Sequence, residues 1–398
     1  MIDMLVLRCP IQDKIDVTYK SSGMPVYTDR TDLLKLDDLQ VPLECSIDVD
    51  GEVDNLRHAW ESIPSSFGSL AMKIFDFRHS KEPSFFVEIK ASPAKIMQGH
   101  NIYGSEDLLE CSMALLELLY MTYPTLSGYL NHAHWEVFQV DVTYHSKCAS
   151  SRDAEQFINA LQNVSCGQTR SRTGYAGTAY FGKKNSRIKK NKVYDKLKEV
   201  LNFLSSEKKR ADSKVLHIYT DELIEWCEGM IRWEASLKSR WFQRRGIPTN
   251  LKKMIEVFEP RQYWKMATAD IFKALEGKEM RLIKDNDIKQ QLHDKFFTVS
   301  AKTGKTSFNK ANAAYRTFRA IKSEGFIEAK ETITSSTFYR HLEMLHDIGM
   351  SRALLQNLKG DGLSCEVIPF IRYIEVKFNE QIPPFAKEKH LRHLRLVA

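Results

Sequence analysis

No Cys-x-x-Cys pair occurs among the seven cysteines, which stand scattered at positions 9, 45, 111, 148, 166, 227 and 365. An odd, dispersed set without ligand spacing argues against a zinc ribbon or a dithiol redox pair. Reduced thiols in a cytosol are the simple reading. There is no basic leader: Met1-Ile-Asp-Met-Leu-Val-Leu7 carries an acid at position 3 and reads as a first strand, not a signal peptide. The chain has no long apolar run either. Its most apolar window, 108–130, is broken by Glu117 and Pro124, so no membrane span is expected. Internal repeats and low-complexity segments are absent. Gly304-Lys305-Thr306 resembles the end of a phosphate loop, but the first glycine of that motif would fall on Val299, which excludes ATP binding through it.

What is present is a chain of 398 residues, 43% hydrophobic and 11% aromatic, enough for a substantial core and for two or three domains. The net charge of +7 is unevenly spread. Between Lys183 and Lys253 stand 19 Lys and Arg against 9 Asp and Glu, so the remainder is slightly acidic. A solvated helix face explains most such runs, and a polyanion meeting one face is the functional alternative.

Residues 1–100 read as strands and turns: Met4–Leu7, then Leu70–Phe77 and Ser84–Lys90 around the polar loop 78–83, with a turn-rich loop over Ala91–Asn101. A helix capped at Ser105 runs to Pro124, and Trp135–Tyr144 is a strand. A second helix starts at Ser150 or Ser151, and Asn163–Gly177 is a Gly/Ser/Thr/Arg loop suited to phosphate. Thr178–Phe181 and Lys192–Tyr194 can form a hairpin around a basic run. A helix from Leu197, a helix over Leu216–Gly229 and a strand over Met230–Lys238 follow. The fold class is therefore α+β, an antiparallel sheet with packed helices and a mainly helical C-terminal domain. The expected division is 1–288 and 289–398. In the second part, Phe308–Ser323, Thr337–Asp347 and a strand over Cys365–Phe378 suggest a helix-turn-helix or winged-helix module, or an ordinary helical packing domain.

Asp141 and Glu234 lie among apolar strand residues, where an unpartnered carboxylate is costly. An ordinary salt bridge accounts for either alone. Together, with Glu88 as a third candidate, they can make an oxygen site for Mg²⁺ or Mn²⁺. Tyr194 is by default a core aromatic at a helix start, but Lys189, Lys190, Lys192, Lys196 and Lys198 surround it in sequence. Cations favour the phenolate, a better nucleophile toward phosphorus. Tyr194 and Lys196 are thus the candidate catalytic pair. Lys183, Lys184, Arg187, Lys189, Lys190, Lys192, Lys198, Arg232 and Lys238 are the candidate DNA contacts. His132-Ala-His134 has metal-ligand spacing for a strand, but neighbouring Gly128 and Asn131 suggest a loop edge and a coincidence.

Val87-Glu-Ile-Lys-Ala-Ser-Pro-Ala-Lys95 followed by Gln98-Gly-His-Asn101 and Gly104, Asn163-Val-Ser-Cys-Gly-Gln-Thr169, and Met1–Arg8 together resemble the filamentous-phage gene II replication initiators. The resemblance covers nearly the whole chain. Tyr180-Phe-Gly182, Val193-Tyr-Asp-Lys196 and Arg232-Trp-Glu234 also look like plasmid rolling-circle initiators. This implies a nicking-closing enzyme that cuts the plus strand at the double-stranded origin, keeps a 5′-phosphotyrosine on Tyr194, and later joins the displaced strand into a circle. Phage DNA, double- and single-stranded, a host replicative helicase and assembly into an oligomer on the origin are the implied partners. The host cytoplasm is the implied location. The coliphage members carry Arg where Gln139 stands and lack an acid at Asp195, so Asp195 is an added candidate for the metal site. The rival readings are a non-catalytic origin-binding or repressor protein and a hydrolase built on His132 and His134.

Overall fold

The structure, a computed structural model, describes residues 1–11, 17–19, 25–27, 43–47, 53–66, 68–76, 85–162, 164–166, 169–173, 177–183, 185–209, 213–275, 285–299, 301, 303–358 and 375–386. Its centre is one antiparallel sheet of ten strands: β1 (Ile2–Pro10), β2 (Glu61–Pro64), β3 (Ser69–Asp76), β4 (Phe85–Ala91), β5 (Glu136–Lys147), β6 (Ser165–Cys166), β7 (Thr169–Thr173), β8 (Thr178–Phe181), β9 (Lys189–Asp195) and β10 (Met230–Lys238). Their order across the sheet is β6-β7-β8-β9-β10-β5-β1-β4-β3-β2. The α+β expectation holds, and Met230–Lys238 has the expected bounds.

Period-two alternation sorts the side chains to two faces. Leu5, Leu7, Val87, Ile89, Val140, Val142, Val193, Trp233, Ala235 and Leu237 are all buried on one face. The helices of this part are α1 (Pro93–Gln98), α2 (Leu108–Thr122), α3 (Ser151–Gln162), α4 (Lys196–Glu207) and α5 (Pro260–Leu275). Of these, α2, α3 and α5 cover the buried face. Phe157 of α3 meets Trp233 edge-on at 5.9 Å, and Trp264 of α5 donates its indole N–H to the Trp233 carbonyl at 3.1 Å. Among the described residues little packs on the opposite face. A smaller cluster covers one end of it, where Val200 and Leu204 of α4 meet Ile102, Tyr219, Leu223, Cys227 and Met230. The residue before β10 must be glycine: Gly229 has φ +64°, and a Cβ there would lie 2.5 Å from the Cys148 carbonyl oxygen of the neighbouring strand end.

Helices α6 (Asp285–Lys295), α7 (Asn309–Glu324), α8 (Phe326–Thr332), α9 (Ser335–Asp347) and α10 (Arg352–Asn357) share a separate core around Leu292, Phe318, Ile321, Phe338 and Leu345. Residues 375–386 return to the sheet. The Gln381 amide accepts from the His145 N–H at 2.8 Å and donates to its carbonyl at 3.0 Å. It extends the pairing of β5 where β1 has run out.

Several local expectations change. Ala91–Asn101 is no plain loop: Pro93 opens α1, where its missing N–H costs nothing. Asp107, not Ser105, caps α2, accepting from the Leu109 and Glu110 N–H groups. Part of Asn163–Gly177 pairs as β6 and β7. Leu216–Gly229 breaks into a 3-10 turn at Leu216–Ile218 and a short helix at Asp221–Glu225 that Thr220 caps. Residues 78–83 and most of the expected strand from Cys365 lie outside the described residues, and Phe378–Glu380 is a 3-10 turn. Among the described residues no helix is long and apolar enough to cross a membrane.

Candidate active site

The open face of the sheet collects most of the residues singled out from sequence. In an antiparallel pair, directly opposed residues share a face. One row across β8, β9, β10 and β5 is Tyr180, Lys192, Glu234 and Thr143; the next is Thr178, Tyr194, Arg232 and His145; a third brings Lys190, Ser236 and Asp141 to Met4 of β1. A cleft of about 790 Å³ opens on these rows, and Asp3, Asn101, Asp141, Lys192, Tyr194, Glu199 and Glu234 line it.

Asp141 and Glu234 stand on neighbouring strands in this cleft. Asp141 accepts from the Gln139 amide at 2.8 Å, but burial still pushes its carboxyl up to about 6, with Asp3 adding to the rise. Burial pushes Glu234 up to about 7; Asp141 and Asp3 add to this, and the Lys192 ammonium at 3.6 Å opposes it. Buried acids whose pKa values neighbouring carboxylates raise further are short of positive charge, and a divalent cation would supply it. Among the described residues no three His, Cys, Asp or Glu side chains form a ready-made metal cage. Two carboxylates still suit Mg²⁺, which keeps several coordination positions for water and substrate phosphate.

Glu88 is not in this set. Arg8 holds it at 2.6 Å, away from the cleft lining. Asp195 is a helix cap: its carboxylate accepts from the Lys198 N–H at 3.1 Å. His132 sits in a 3-10 turn, hydrogen-bonded to the Tyr120 hydroxyl and the Ser127 carbonyl at 2.9 Å each. That pairing accounts for it without a metal.

Tyr194 is only 5% exposed, and its pKa lies well above the ordinary phenol value. Burial is the main cause and Glu234 the next, with Arg232 opposing. The lysine neighbours read from sequence do not surround the hydroxyl, because strand alternation and a helix start scatter them. Lys189 turns to the covered face, where it donates to the Ala267 carbonyl at 2.8 Å and pairs with Asp270 at 3.3 Å. Lys192 places its ammonium 4.1 Å from the Tyr194 ring centroid while pairing with Glu234. Lys196 is fully buried between Asn101 and Glu199, and Lys198 pairs with Glu155 at 3.2 Å. The cation beside the hydroxyl is Arg232 instead. It is buried, and the carbonyls of Asn101 and Ile102 hold its guanidinium, so it is a neighbour of the phenol and no surface DNA contact.

Lys183 and Arg187 are exposed on the β8–β9 hairpin, and Lys190 and Lys238 line the open face near Asp141. Lys184 and Tyr175 lie outside the described residues. Asp3 was not singled out from sequence. A bulge between Ile2 and Met4 places it in the cleft, where Asn101 donates to it at 2.8 Å. Asn101 also accepts from Lys196 at 2.9 Å, linking β1 to the start of α4.

Two family models match the chain: the N-terminal part of the phage replication-associated protein over residues 1–257, and the C-terminal part of the same protein over residues 301–392. The replication-associated protein of Enterobacteria phage M13 is 30% identical over 419 residues, covering 98% of this chain and 100% of the relative. That of Salmonella phage IKe is 31% identical over 412 residues, covering 98% and 96%. No solved structure matches. With matches of this extent over both parts of the chain, the protein belongs to the phage replication-associated protein family, that of the gene II replication initiators.

Proposed function

We propose that the protein starts phage DNA replication by nicking the plus strand at the origin and later rejoining it, with Tyr194 as the nucleophile. One observation carries this reading: the phenol shares a cleft with two buried, cation-deficient carboxylates on the adjoining strands. Attack of the Tyr194 oxygen on the scissile phosphorus forms a 5′-phosphotyrosyl ester and breaks the bond to the 3′ oxygen, which takes a proton from solvent water and leaves as a hydroxyl. The ester keeps the bond energy, so closing the strand needs no ATP. Because the phenol is protonated at neutral pH, attack requires a base. Asp3, kept ionised against its burial by Arg232 and Lys196 and lining the same cleft as the phenol, is the carboxylate we assign as that base. Arg232 stabilises the charge that develops on the phenolic oxygen. Asp141 and Glu234 would hold Mg²⁺ or Mn²⁺, which when bound withdraws charge from the phosphate.

The hairpin cations Lys183 and Arg187, with Lys190 and Lys238, hold the DNA backbone. The C-terminal unit binds duplex origin DNA through exposed Arg316 and Arg319 of α7. A boundary at 288/289 would cut α6, whose Ile288 and Leu292 both join the second core, so we place the start of that unit at Asp285. Recruitment of a host helicase and assembly on the origin complete the reading. Its test is nicking of supercoiled origin plasmid in Mg²⁺. Asp141→Asn and Glu234→Gln should each abolish nicking while origin binding survives. Wild-type nicking by either variant removes that residue from the site.

A further inference from the structure

We infer that the open face beyond the cleft, over β1, β4, β3 and the start of β2, is a stacking platform for the bases of a single DNA strand. The inference rests on the reading of the cleft as a site for a DNA phosphate. The open side of an antiparallel sheet is ordinarily polar. Here it carries Trp60, Phe75, Phe86 and Phe138, on the side away from α2, α3 and α5. Register fixes their common face: Phe75 opposes Phe86, Lys73 opposes Glu88, and Ala71 opposes Lys90. Phe75 and Phe86 stack at 5.0 Å with 17° between planes, and Trp60 stands edge-on to Phe75 at 6.2 Å. Trp60 keeps 37% of its surface exposed.

Cations interleave with the rings. The Lys90 ammonium is 3.5 Å from the Trp60 centroid, and the Arg8 guanidinium is 3.3 Å from that of Phe138 and 4.7 Å from that of Phe86. Lys73 lies 5.5 Å from the Phe75 centroid. Glu88, paired with Arg8, and Glu136, directly opposite Arg8 on β5, are the acids among them. Flat apolar surfaces next to ammonium and guanidinium groups are what an unpaired strand needs: faces for bases and charges for phosphates. A duplex hides its base faces and gains nothing from the rings. The platform is continuous with the cleft, because Ala71 and Lys90 also line the latter. From β9 to β4 and β3 the sheet spans roughly 20–25 Å at its usual strand spacing. The platform therefore lies on the flank of the scissile phosphate opposite the Lys183–Arg187 hairpin.

The test is equilibrium binding of two fluorescein-labelled probes to the full chain: a deoxythymidine oligomer of about twenty nucleotides, and an abasic oligomer of the same length and charge. The native protein should prefer the thymidine probe. Trp60→Ala should weaken that probe about tenfold and leave the abasic probe unchanged, since each stacked base contributes binding that a bare backbone cannot. Trp60→Phe should keep most of the preference. Phe86→Leu repeats the test at a second ring, with thermal melting as the check on folding. Two results would overturn the platform: thymidine binding unchanged in both Trp60→Ala and Phe86→Leu, or equal loss on both probes. Adduct formation on origin DNA is read separately in the native chain: an adduct with unchanged thymidine binding in Trp60→Ala and Phe86→Leu sinks the platform alone, and lost thymidine preference in those variants with no adduct in the native chain sinks the nucleophile assignment alone.

Discussion

Without metal, the protein should lose stability as pH rises through about 6 to 7, and Mg²⁺ should restore it. The perturbation is the charging of Asp141 and Glu234, whose carboxyls sit at about 6 and about 7 instead of 3.8 and 4.5. The sign follows from where the protons are. Below the ordinary carboxyl range both groups are protonated in the folded and unfolded chain, and their burial costs no charge. Between the ordinary and the folded values the unfolded chain releases protons that the folded chain keeps. Above the folded values two charges stand buried and unneutralised, and that part of the stability is gone. Each shift is roughly two units, or about 3 kcal/mol at about 1.4 kcal/mol per unit. Part of this change falls below about pH 5, where the unfolded carboxyls already release protons, so the joint effect between about pH 5 and pH 8 is about 4 kcal/mol. At about 2–4 °C per kcal/mol for a unit of this size, the melting temperature should fall by about 10 °C between about pH 5 and pH 8. The assay is thermal melting in a chelator across that range, then with Mg²⁺, for the native chain and Asp141→Asn. The variant should lose about half of the pH slope and most of the Mg²⁺ response. An equal slope in both proteins, or an equal Mg²⁺ response, would refute the pairing of these carboxylates with a cation.

Asp3→Asn should slow nicking about a hundredfold, with partial recovery as pH rises and the phenol sheds its own proton; a loss independent of pH would limit Asp3 to packing. Gln381→Ala should destabilise the chain by about 1–2 kcal/mol in urea, because the His145 N–H and carbonyl lose their partner; no change would remove the return segment from the sheet's support. Lys183→Gln and Arg187→Gln should each lower the salt slope of origin binding by about one without changing sequence preference, and an unchanged slope would take that hairpin off the DNA.

The sheet was legible because its strands are long and patterned: Val137, Val140 and Val142 mark β5, and Trp233, Ala235 and Leu237 mark β10. Pro93 at the start of α1 and the broken segment over Leu216–Gly229 were not legible, since short helices depend on caps and tertiary packing more than on periodicity. In the site, the strand carboxylates were legible as costly groups. Glu88 looked equivalent until the cross-strand register gave it Arg8. Of the lysines around Tyr194, Lys190 and Lys192 share its face, whereas strand alternation turns Lys189 away and the helix start carries Lys196 and Lys198 to other partners. Asp3 gave no signal: a bulge sets its direction, and nothing in Met1-Ile-Asp-Met reports a bulge.

The most direct measurement is mass-spectrometric identification of the residue bound to DNA after nicking of origin plasmid in Mg²⁺, made on the native chain and Tyr194→Phe. A 5′-phosphonucleotide on the peptide containing Tyr194, and no adduct in Tyr194→Phe despite normal origin binding, is the predicted result. A stable adduct in Tyr194→Phe, or one mapped to Tyr180 or Tyr175 in the native chain, would contradict it.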